Sequence, residues 1–457
     1  MPGDSAKKRV WGWYWFDWAS QPYHTLLLTF VYGPFFASVA AAYFISLGFT
    51  EAEAAPRAQA MWANSLTVIG LIIGIGAPIM GALADAAGRK RPWIVGFAFM
   101  YVLGAGALWF TDPGGSNAWP MMIAFGIGFI GAEYALIFIN AQLPDLVEEA
   151  DVGETSGSGF AFGYLGGVVS LLIALVFLVE QESGLTIAGL KPGFGLFDAE
   201  AREGTRFIGP FVALWFAVFM IPYWRWVRED GPQKAKVAFS DGMKLLGHSI
   251  RTLTKKKSLA SFLLSSMFYR DALNGLYGFG GVYATLVLGW GLTTVGIFGI
   301  ISAIAATFFC WIGGKIERGT GPKPVVIGSI WVLIGVVVTI VFMSREMIFG
   351  LPLAEGSTLP DIVFFSCGVI IGGMGGILQS SSRSLMVRHT DPKAPTEYFG
   401  LYGFSGRATA FMAPALIALV TTTSGSARIG VSPLIGLFIL GLILLRWVKA
   451  EGVEYEK

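Results

Sequence analysis

Charged residues are scarce in this 457-residue chain, and apolar residues are abundant. Asp, Glu, Lys and Arg make up 14% of the sequence, against about 25% in a typical soluble domain. Apolar residues reach 54%, and the mean hydropathy is +0.64. A soluble protein of this length could not cover its surface with so few charges. The composition therefore excludes a soluble globular protein and indicates a membrane protein.

Residues that carry enzyme chemistry are also few. The two cysteines, Cys310 and Cys367, lie inside apolar runs, which argues against a disulfide framework and supplies no metal-ligand cluster. The histidines at 24, 248 and 389 are scattered along the chain. The sequence has no Gly-x-x-x-x-Gly-Lys-Ser/Thr loop for a nucleotide, and no pattern of nucleophile, base and metal ligands. We therefore expect no enzyme activity, no cofactor, no bound metal and no nucleic-acid partner.

Twelve apolar stretches are long enough to cross a membrane, which takes about 20 residues in a helix. They lie at 13–46, 61–84, 92–110, 120–142, 159–179, 208–226, 259–289, 292–312, 324–343, 360–381, 398–421 and 429–447. We predict an all-α membrane protein with about 12 transmembrane helices in two six-helix halves. The N-terminal half covers 1–227, a cytoplasmic linker covers 228–258, and the C-terminal half covers 259–457.

Basic residues lie mostly on one side of this predicted topology. With both termini inside, the inner segments hold 24 of the 32 Lys and Arg residues and the outer loops hold 6. Because cytoplasmic loops are enriched in Lys and Arg, we predict a multi-pass protein of the inner (cytoplasmic) membrane with both termini in the cytoplasm. The two remaining bases, Arg270 and Arg407, fall inside predicted helices.

The first apolar stretch is too long for a single perpendicular helix. From Trp13 to Phe44 a helix would run about 48 Å, against a hydrocarbon core of about 30 Å. Tilt, a kink at Pro22 or an interfacial start must absorb the excess. The depth of Asp17 depends on which of these applies.

Two sequence patterns occur once in each predicted half. Asp17 is followed by Tyr23 in the first helix, and Asp271 is followed by Tyr277 in the seventh. The loop after the second helix, 81–92 (GALADAAGRKRP), is echoed by 313–324 (GGKIERGTGPKP). Parallel repeats of this kind are typical of transporters, so the halves are predicted to be pseudo-symmetric.

The first of these loops resembles the signature between helices two and three of the major facilitator superfamily. Gly81 allows two helices to approach closely, and Gly88 supplies a tight turn. Arg89 and Lys90 hold the loop in the cytoplasm. The resemblance implies that Asp85 latches the two halves together on the cytoplasmic side. A basic turn that only sets topology is the alternative interpretation.

Further segments narrow the resemblance. They are 15–19 (WFDWA), 140–145 (NAQLPD), 157–167 (GSGFAFGYLGG), 269–271 (YRD), 379–384 (QSSSRS) and 397–406 (EYFGLYGFSG). Together they resemble the fungal autophagy-related vacuolar amino-acid effluxers and their bacterial relatives, often called the "unknown major facilitator" group. The resemblance runs through both halves in order. It implies the major-facilitator fold and a transport role, with amino acids as the favoured substrate and export as the direction.

Five ionisable residues within predicted helices are candidates for substrate binding or proton coupling: Asp17, Glu133, Asp271, Arg270 and Arg407. Each costs at least about 2.5–3.5 kcal/mol at mid-membrane, so each should face the bundle interior or be paired. Three acids outnumber two bases, and an acid without a basic partner can carry a proton. We predict that Glu133 or Asp271 is a protonation site coupled to substrate movement. The alternative is that Arg270 or Arg407 ties helices together through an acid.

A substrate cavity is predicted to be lined by Trp15, Tyr23, Tyr134, Asn140, Tyr277 and Gln379. Trp15 belongs to an aromatic cluster beside Asp17, where a cationic group of an amino acid could meet a ring. An interfacial aromatic belt is the alternative for this cluster. Asn140 and Gln379 are candidates either for hydrogen bonds to substrate or for helix packing.

These observations predict a secondary active transporter that moves a small polar solute by alternating access, driven by a gradient such as that of protons. The expected partners are a small-molecule substrate, membrane lipid and protons, and the expected state is a monomer. Two alternatives keep the same fold. One is a flippase for lysophospholipids or other amphiphiles, and the other is a membrane sensor or scaffold that does not transport.

Overall fold

The structure is a computed structural model that describes residues 2–181, 183–227, 247, 251, 256–290 and 292–452. The predicted linker, 228–258, lies almost entirely outside the described residues. Within them the chain is helical except for turns, loops and one small hairpin, in which β1 (Met347–Ile348) pairs antiparallel with β2 (Leu351–Pro352). A helix satisfies its own backbone hydrogen bonds, which lipid cannot do, so this content fits a membrane-spanning chain.

The helices follow one another along the chain with short connections. The first set comprises α1 (Pro2–Pro22), a π-helical segment (Tyr23–Phe30), α2 (Tyr32–Ser46), α3 (Glu51–Ala87), α4 (Arg91–Ala107), α5 (Ala118–Asn140), α6 (Leu143–Leu146), α7 (Val152–Ile173), α8 (Glu203–Arg206), α9 (Ile208–Phe219) and α10 (Ile221–Trp226). The second set comprises α11 (Lys257–Leu286), α12 (Leu292–Thr320), α13 (Pro322–Val341), α14 (Leu359–Arg388), α15 (Pro395–Ala408), α16 (Met412–Ser424), α17 (Ala427–Gly430) and α18 (Pro433–Leu445).

Ten helical spans in the described part of the chain are long and apolar enough to cross a membrane, and a bent pair at the start raises this to eleven. The predicted all-α membrane fold is thereby confirmed. The one predicted span not among these is 259–289, which corresponds to α11, a helix of 30 residues. At 1.5 Å per residue α11 runs about 45 Å, so polarity rather than length separates it from the others. Its polar residues include Ser265, Ser266, Arg270, Asp271 and Asn274.

The overlong first stretch is divided by a bend. The helical segments Ala6–Phe30 and Tyr32–Ser46 meet at 42°. Pro22 ends α1, the backbone continues as a π-helix to Phe30, and Val31 leaves helical geometry with φ −122° and ψ −68°. Proline and π-helical turns are the usual causes of such kinks. The bend lies at Val31, nine residues beyond the predicted kink site at Pro22, and it divides the overlong stretch into two segments.

The chain separates into two compact units by its internal contacts. Unit 1 consists of Met1–Gly76, Gly88–Ile139 and Phe162–Lys234, and unit 2 consists of Ala77–Ala87, Asn140–Ala161 and Ala235–Lys457. Unit 2 therefore holds the end of α3, the start of α7 and the helices after the predicted linker. The predicted domain boundaries at 227 and 259 stay a prediction.

Aromatic rings and glycines fill the core of unit 1. A methyl group on Gly104 of α4 would lie 2.6 Å from Ala124 O of α5, so the two helices touch at their backbones. The ring of Tyr101 stacks on Phe216 of α9 with 3.9 Å between centroids. Lipid provides no hydrophobic drive between helices, so close packing of this kind must hold them together. It also fixes α5, which carries Glu133.

Candidate functional site

Glu133 of α5 and His24 of the π-helical segment form a pair in unit 1. His24 Nε2 lies 3.0 Å from Glu133 Oε1, and the two side chains are 31% and 12% exposed. A π-helical turn inside a helix is often found at a functional site. A carboxyl group and an imidazole at this distance can share a proton. Glu133 was predicted from the sequence, whereas His24 was not, because a lone histidine carries no pattern.

Asp17 of α1 is buried against α7. A methyl group on Gly163 would lie 3.2 Å from both the Cβ and the main-chain oxygen of Asp17. One turn further on, a methyl group on Gly166 would lie 2.8 Å from Trp18 O. Glycines of α7 thus let α1 approach closely. Asp17 is therefore held in a tight crossing of two helices.

Asp271 of α11 meets a break between two helices of unit 2. Its Oδ2 accepts a hydrogen bond of 2.9 Å from Ala413 N, just after the turn at 409–411 that separates α15 from α16. Its Oδ1 is buried and has no hydrogen-bond partner among the described residues. A carboxylate is stabilised at the unsatisfied N–H groups of a helix start. Broken helices are typical of substrate and ion sites in transporters. The coupling role of Asp271 stays a prediction.

Arg270 precedes Asp271 but contacts α15. Its Nη1 donates a 3.0 Å hydrogen bond to Tyr402 O, and its guanidinium lies 4.4 Å from the centre of the Tyr402 ring. The guanidinium also rests on Gly406, where a methyl group would come within 2.6 Å of Nη1. Neighbouring helix residues point about 100° apart, so the two charges diverge. Arg407 lies half-buried in the last turn of α15.

The repeated tyrosines each pack on a glycine. Tyr23 is fully buried, and its hydroxyl donates to Phe125 O at 2.6 Å beside Gly128 of α5. Tyr277 is 42% exposed, and its hydroxyl lies against Gly375 of α14. In both cases the tyrosine follows a buried acid by six residues. The similar local geometry supports the repeat seen in the sequence, although Tyr277 is the more open of the two.

Three more of the predicted cavity residues also make packing contacts. The indole of Trp15 stacks on Phe219 with 5.4 Å between ring centres. The hydroxyl of Tyr134 donates to Ile72 O at 2.8 Å. Gln379 is half-buried in α14. Their role in lining a cavity stays a prediction.

The loop at 81–92 begins with a close helix contact inside unit 2. A methyl group on Gly81 would lie 2.5 Å from Thr396 O at the start of α15. Asp85 Oδ2 accepts a 2.7 Å hydrogen bond from Glu397 N, in the first turn of the same helix. Gly88 follows with φ +73°, a left-handed conformation that glycine adopts without strain.

The two basic residues of this loop lie after the turn. Arg89 is exposed, and Lys90 is half-buried at the start of α4. Asp85 lies near the end of α3 and accepts from a backbone N–H at the start of α15, a position that favours an anion. The role itself stays a prediction.

Two further close contacts in unit 2 have the same form. A methyl group on Gly157 of α7 would lie 2.5 Å from Cys310 O of α12, and one on Gly400 of α15 would lie 2.6 Å from Ala77 O of α3. Each crossing joins an early turn of one helix to the backbone of another. Glycine is required at both positions because any side chain would overlap main-chain atoms.

Glu317, which echoes Asp85 in the repeated loop, lies beside the start of α7. A methyl group on Gly153 would touch its Oε1. The side chain is 3% exposed, and its Oε2 has no hydrogen-bond partner among the described residues. The two echoed acids therefore both lie at a helix start, as the sequence repeat suggests.

Arg383 is the functional candidate that the sequence did not reveal. It was counted among the basic residues of an inner loop, yet it is 2% exposed within α14. Its Nε and Nη2 donate to Oγ and O of Ser156 at 2.9 and 2.7 Å, and its Nη1 donates to Asn140 Oδ1 at 3.0 Å. Its guanidinium also lies 4.2 Å from the centre of the Phe160 ring. The serines beside Arg383 in the segment 379–384 could have indicated its burial, because small residues let neighbouring helices approach and enclose a large side chain.

Solved structures of low sequence identity share the architecture of this chain. The chain aligns with the human organic anion transporter MFSD10 at a TM-score of 0.67 and 16% identity, over 96% of this chain and 99% of that one. It aligns with the proton:xylose symporter XylE at a TM-score of 0.71 and 12% identity, over 98% and 95%. These likenesses establish the major-facilitator fold. This fold, the family match and the similarity to an MFS-type transporter described next together make the protein a membrane transporter of that superfamily and not an enzyme.

The family follows from the sequence. The chain matches the profile of the family described as "Vacuole effluxer Atg22 like" over residues 5–456, and it belongs to that family. It is 26% identical to the uncharacterized MFS-type transporter YxiO of Bacillus subtilis over 96% of this chain and 94% of YxiO. It is 22% identical to autophagy-related protein 22-1 of Aspergillus clavatus over 66% of this chain, which spans 50% of that protein. The family resemblance read from the motifs is thereby confirmed.

Proposed function

We propose that this transporter exports a small polar solute, with amino acids as the favoured class, by alternating access coupled to proton movement. The chain belongs to a family described as effluxer-like, which supports export as the direction of transport. Two structural neighbours, the proton:xylose symporter XylE and the fucose:proton symporter FucP, are proton-coupled, which supports coupling to protons. The observation that carries the proposal for this chain is the pair formed by His24 and Glu133.

This pair has the properties of a proton-coupling site. Two groups that titrate lie 3.0 Å apart inside membrane-spanning segments, and both retain some exposure. Ionisable groups in this position mark proton relays in pumps and transporters. In this proposal Glu133 carries the proton, and His24 stabilises the carboxylate when the proton has left. Asp271, with 1% exposure, instead serves as a positioning residue at the start of α16.

The proposal also covers the two halves, the loop that contains Asp85 and the orientation in the membrane. The halves at 1–227 and 259–457 are the moving bodies, and the linker at 228–258 connects them. Asp85 holds the start of α15, and the loop glycines allow that contact. The excess of basic residues in the predicted inner segments supports both termini in the cytoplasm and a location in the inner membrane. Lipid contact and a monomeric state complete the proposal.

The proposal is tested by efflux from liposomes. Vesicles containing the purified protein are loaded with the twenty amino acids, and their release is measured by mass spectrometry with and without a pH gradient. We expect at least one amino acid to leave faster from protein-containing vesicles, at a rate that depends on the gradient. The variant Glu133→Gln should lose the gradient dependence. The control Glu355→Gln changes an exposed glutamate outside the spans and should retain it.

Each outcome bears on a different part of the proposal. Release that ignores the pH gradient in the wild type would contradict proton coupling. Equal gradient dependence in Glu133→Gln and the wild type would remove Glu133 from the mechanism. Release of none of the twenty compounds would contradict the substrate class.

A further inference from the structure

We propose that Arg270 binds a carboxylate group of the transported solute, an assignment that rests on the proposed transport function. The guanidinium of an arginine carries five N–H donors. In Arg270 the donor atom Nη1 is engaged by Tyr402 O. Among the described residues Nε and Nη2 have no hydrogen-bond or acidic partner. Neither Nε nor Nη2 is fully buried, so both atoms reach the molecular surface.

The two available nitrogens lie on the same edge of the guanidinium. Their N–H bonds point in parallel, and this edge matches the two oxygens of a carboxylate in a bidentate pair. The opposite side is occupied, because Nη1 is bonded to the backbone of α15. The half-buried side chain therefore presents one complete binding edge to a ligand.

The position of this edge is fixed by its surroundings. The Tyr402 ring lies 4.4 Å from the guanidinium carbon and holds its plane. Gly406 lies directly against the guanidinium, and a methyl group there would overlap its carbon. A binding group that is already held in place loses little entropy when the ligand arrives. Gly406 thus makes room for Arg270 as well as permitting the close approach of α15.

A purely structural role leaves the charge of Arg270 unexplained. A positive charge within a membrane-spanning bundle is costly and is normally balanced by an acid. Asp271 is adjacent in sequence but is directed to Ala413 N, and no carboxylate lies within 4 Å of Arg270 in the described part of the chain. One carbonyl and one ring do not neutralise the charge. An anionic group of the solute would supply the missing partner.

This chemistry narrows the substrate class. A solute with a planar carboxylate, such as an amino acid or another small carboxylic acid, fits the free edge. Neutral sugars and simple amines do not offer the two acceptors. Phosphate groups share the ability to accept from arginine, whether free or on a lipid, so they must be tested beside carboxylates.

The test uses matched ligands on the full-length protein in detergent. Binding of L-leucine, L-leucinamide, 3-methylbutylamine, inorganic phosphate and a short-chain phosphatidic acid is measured by the shift in thermal unfolding at graded concentrations. A ligand that binds the native state raises its apparent stability. L-Alanine, L-glutamate and L-lysine are tested beside their amides, so that the comparison covers small, acidic and basic side chains as well as leucine. We expect the acids to bind and their amides to bind on the order of 10- to 100-fold more weakly.

Variants separate the role of Arg270 from general damage. Arg270→Gln should lose on the order of 10- to 100-fold in affinity for the acids and leave the amides unchanged. Arg270→Lys keeps the charge without the planar edge and should lose less. The control is Arg206→Gln, because Arg206 also donates to a carbonyl, Trp109 O at 3.0 Å, and lies 5.2 Å from the Trp109 ring. This control should bind the acids like the wild type.

The outcomes distinguish this inference from the proposed function. Equal binding of acids and amides by the wild type overturns the carboxylate assignment even if Arg270→Gln fails to fold. Preference for phosphate or phosphatidic acid over every carboxylate overturns it in favour of a phosphate ligand. If the acids bind through Arg270 while Glu133→Gln keeps its gradient dependence, the proton site is wrong and the carboxylate site stands. If amino-acid efflux is coupled through Glu133 and is unaffected by Arg270→Gln, the carboxylate site is wrong and the proton site stands.

Discussion

Replacing Arg383 by methionine removes a buried guanidinium that donates to Ser156 Oγ, Ser156 O and Asn140 Oδ1. A hydrogen bond to a charged group contributes about 1.5–3 kcal/mol net. The three bonds share one side chain, so their contributions do not add. Methionine fills a similar length but leaves the Asn140 and Ser156 acceptors without this donor. We expect the free energy of unfolding to fall by about 3–5 kcal/mol, which is more than one such bond contributes and less than three independent bonds would.

The assay is chemical unfolding of the purified protein in mixed micelles, followed by tryptophan fluorescence. Arg383→Lys retains the charge and should lose less stability than Arg383→Met. Asn140→Ala removes one of the three bonds and should cost about 1–3 kcal/mol. The control is Arg388→Met, because Arg388 is 22% exposed, donates to Ala450 O and pairs at 3.6 Å with Glu149, which is 69% exposed. A loss for Arg383→Met no larger than that for Arg388→Met would refute the reasoning.

Two further predictions concern stability. Gly400→Ala places a methyl group 2.6 Å from Ala77 O and should destabilise the protein by about 1–3 kcal/mol. The control Gly278→Ala places its methyl group in open space and should change the stability little. Equal melting temperatures of the two variants would contradict this prediction. Burial lowers the pKa of His389 below its ordinary value of 6.5, and its neutral ring is bonded to Ser258 Oγ at 2.8 Å. The unfolded chain therefore takes up the proton first, and stability should fall as the pH drops below about 6.5. His389→Gln should show a shallower pH dependence of unfolding, and an unchanged slope would remove His389 as the cause.

The membrane helices were largely predictable from hydropathy, with two instructive differences. The first stretch was predicted to need a tilt, a kink at Pro22 or an interfacial start, and the structure shows a π-helical segment after Pro22 and the bend at Val31. The stretch at 259–289 was predicted as a span, and α11 forms there but is too polar to be classed with the apolar spans. Hydropathy averages over a window, so it cannot show that polar residues of one helix have found partners on another.

The site residues were predictable in kind but not in their pairing. The sequence indicated Glu133 as a candidate, yet nothing near position 24 showed that a histidine would meet it, because 109 residues separate the two. Arg383 was interpreted as a basic residue of a loop, and it lies buried among partners from α5 and α7. Contacts between distant segments depend on how helices pack, and sequence spacing carries little information about that.

The sequence by itself determined the class of this protein. Charged side chains are costly in lipid, so every membrane helix is poor in charge, and the composition of the whole chain shows it. The sequence also indicated the close helix contact at Gly81, since only glycine fits where backbones touch. Only the tertiary structure decided which charges meet. Arg270 and Asp271 are neighbours in the chain, but the turn of a helix sends one to Tyr402 O and the other to Ala413 N. The edge of Arg270 that remains open, and with it the inferred carboxylate site, follows from that divergence.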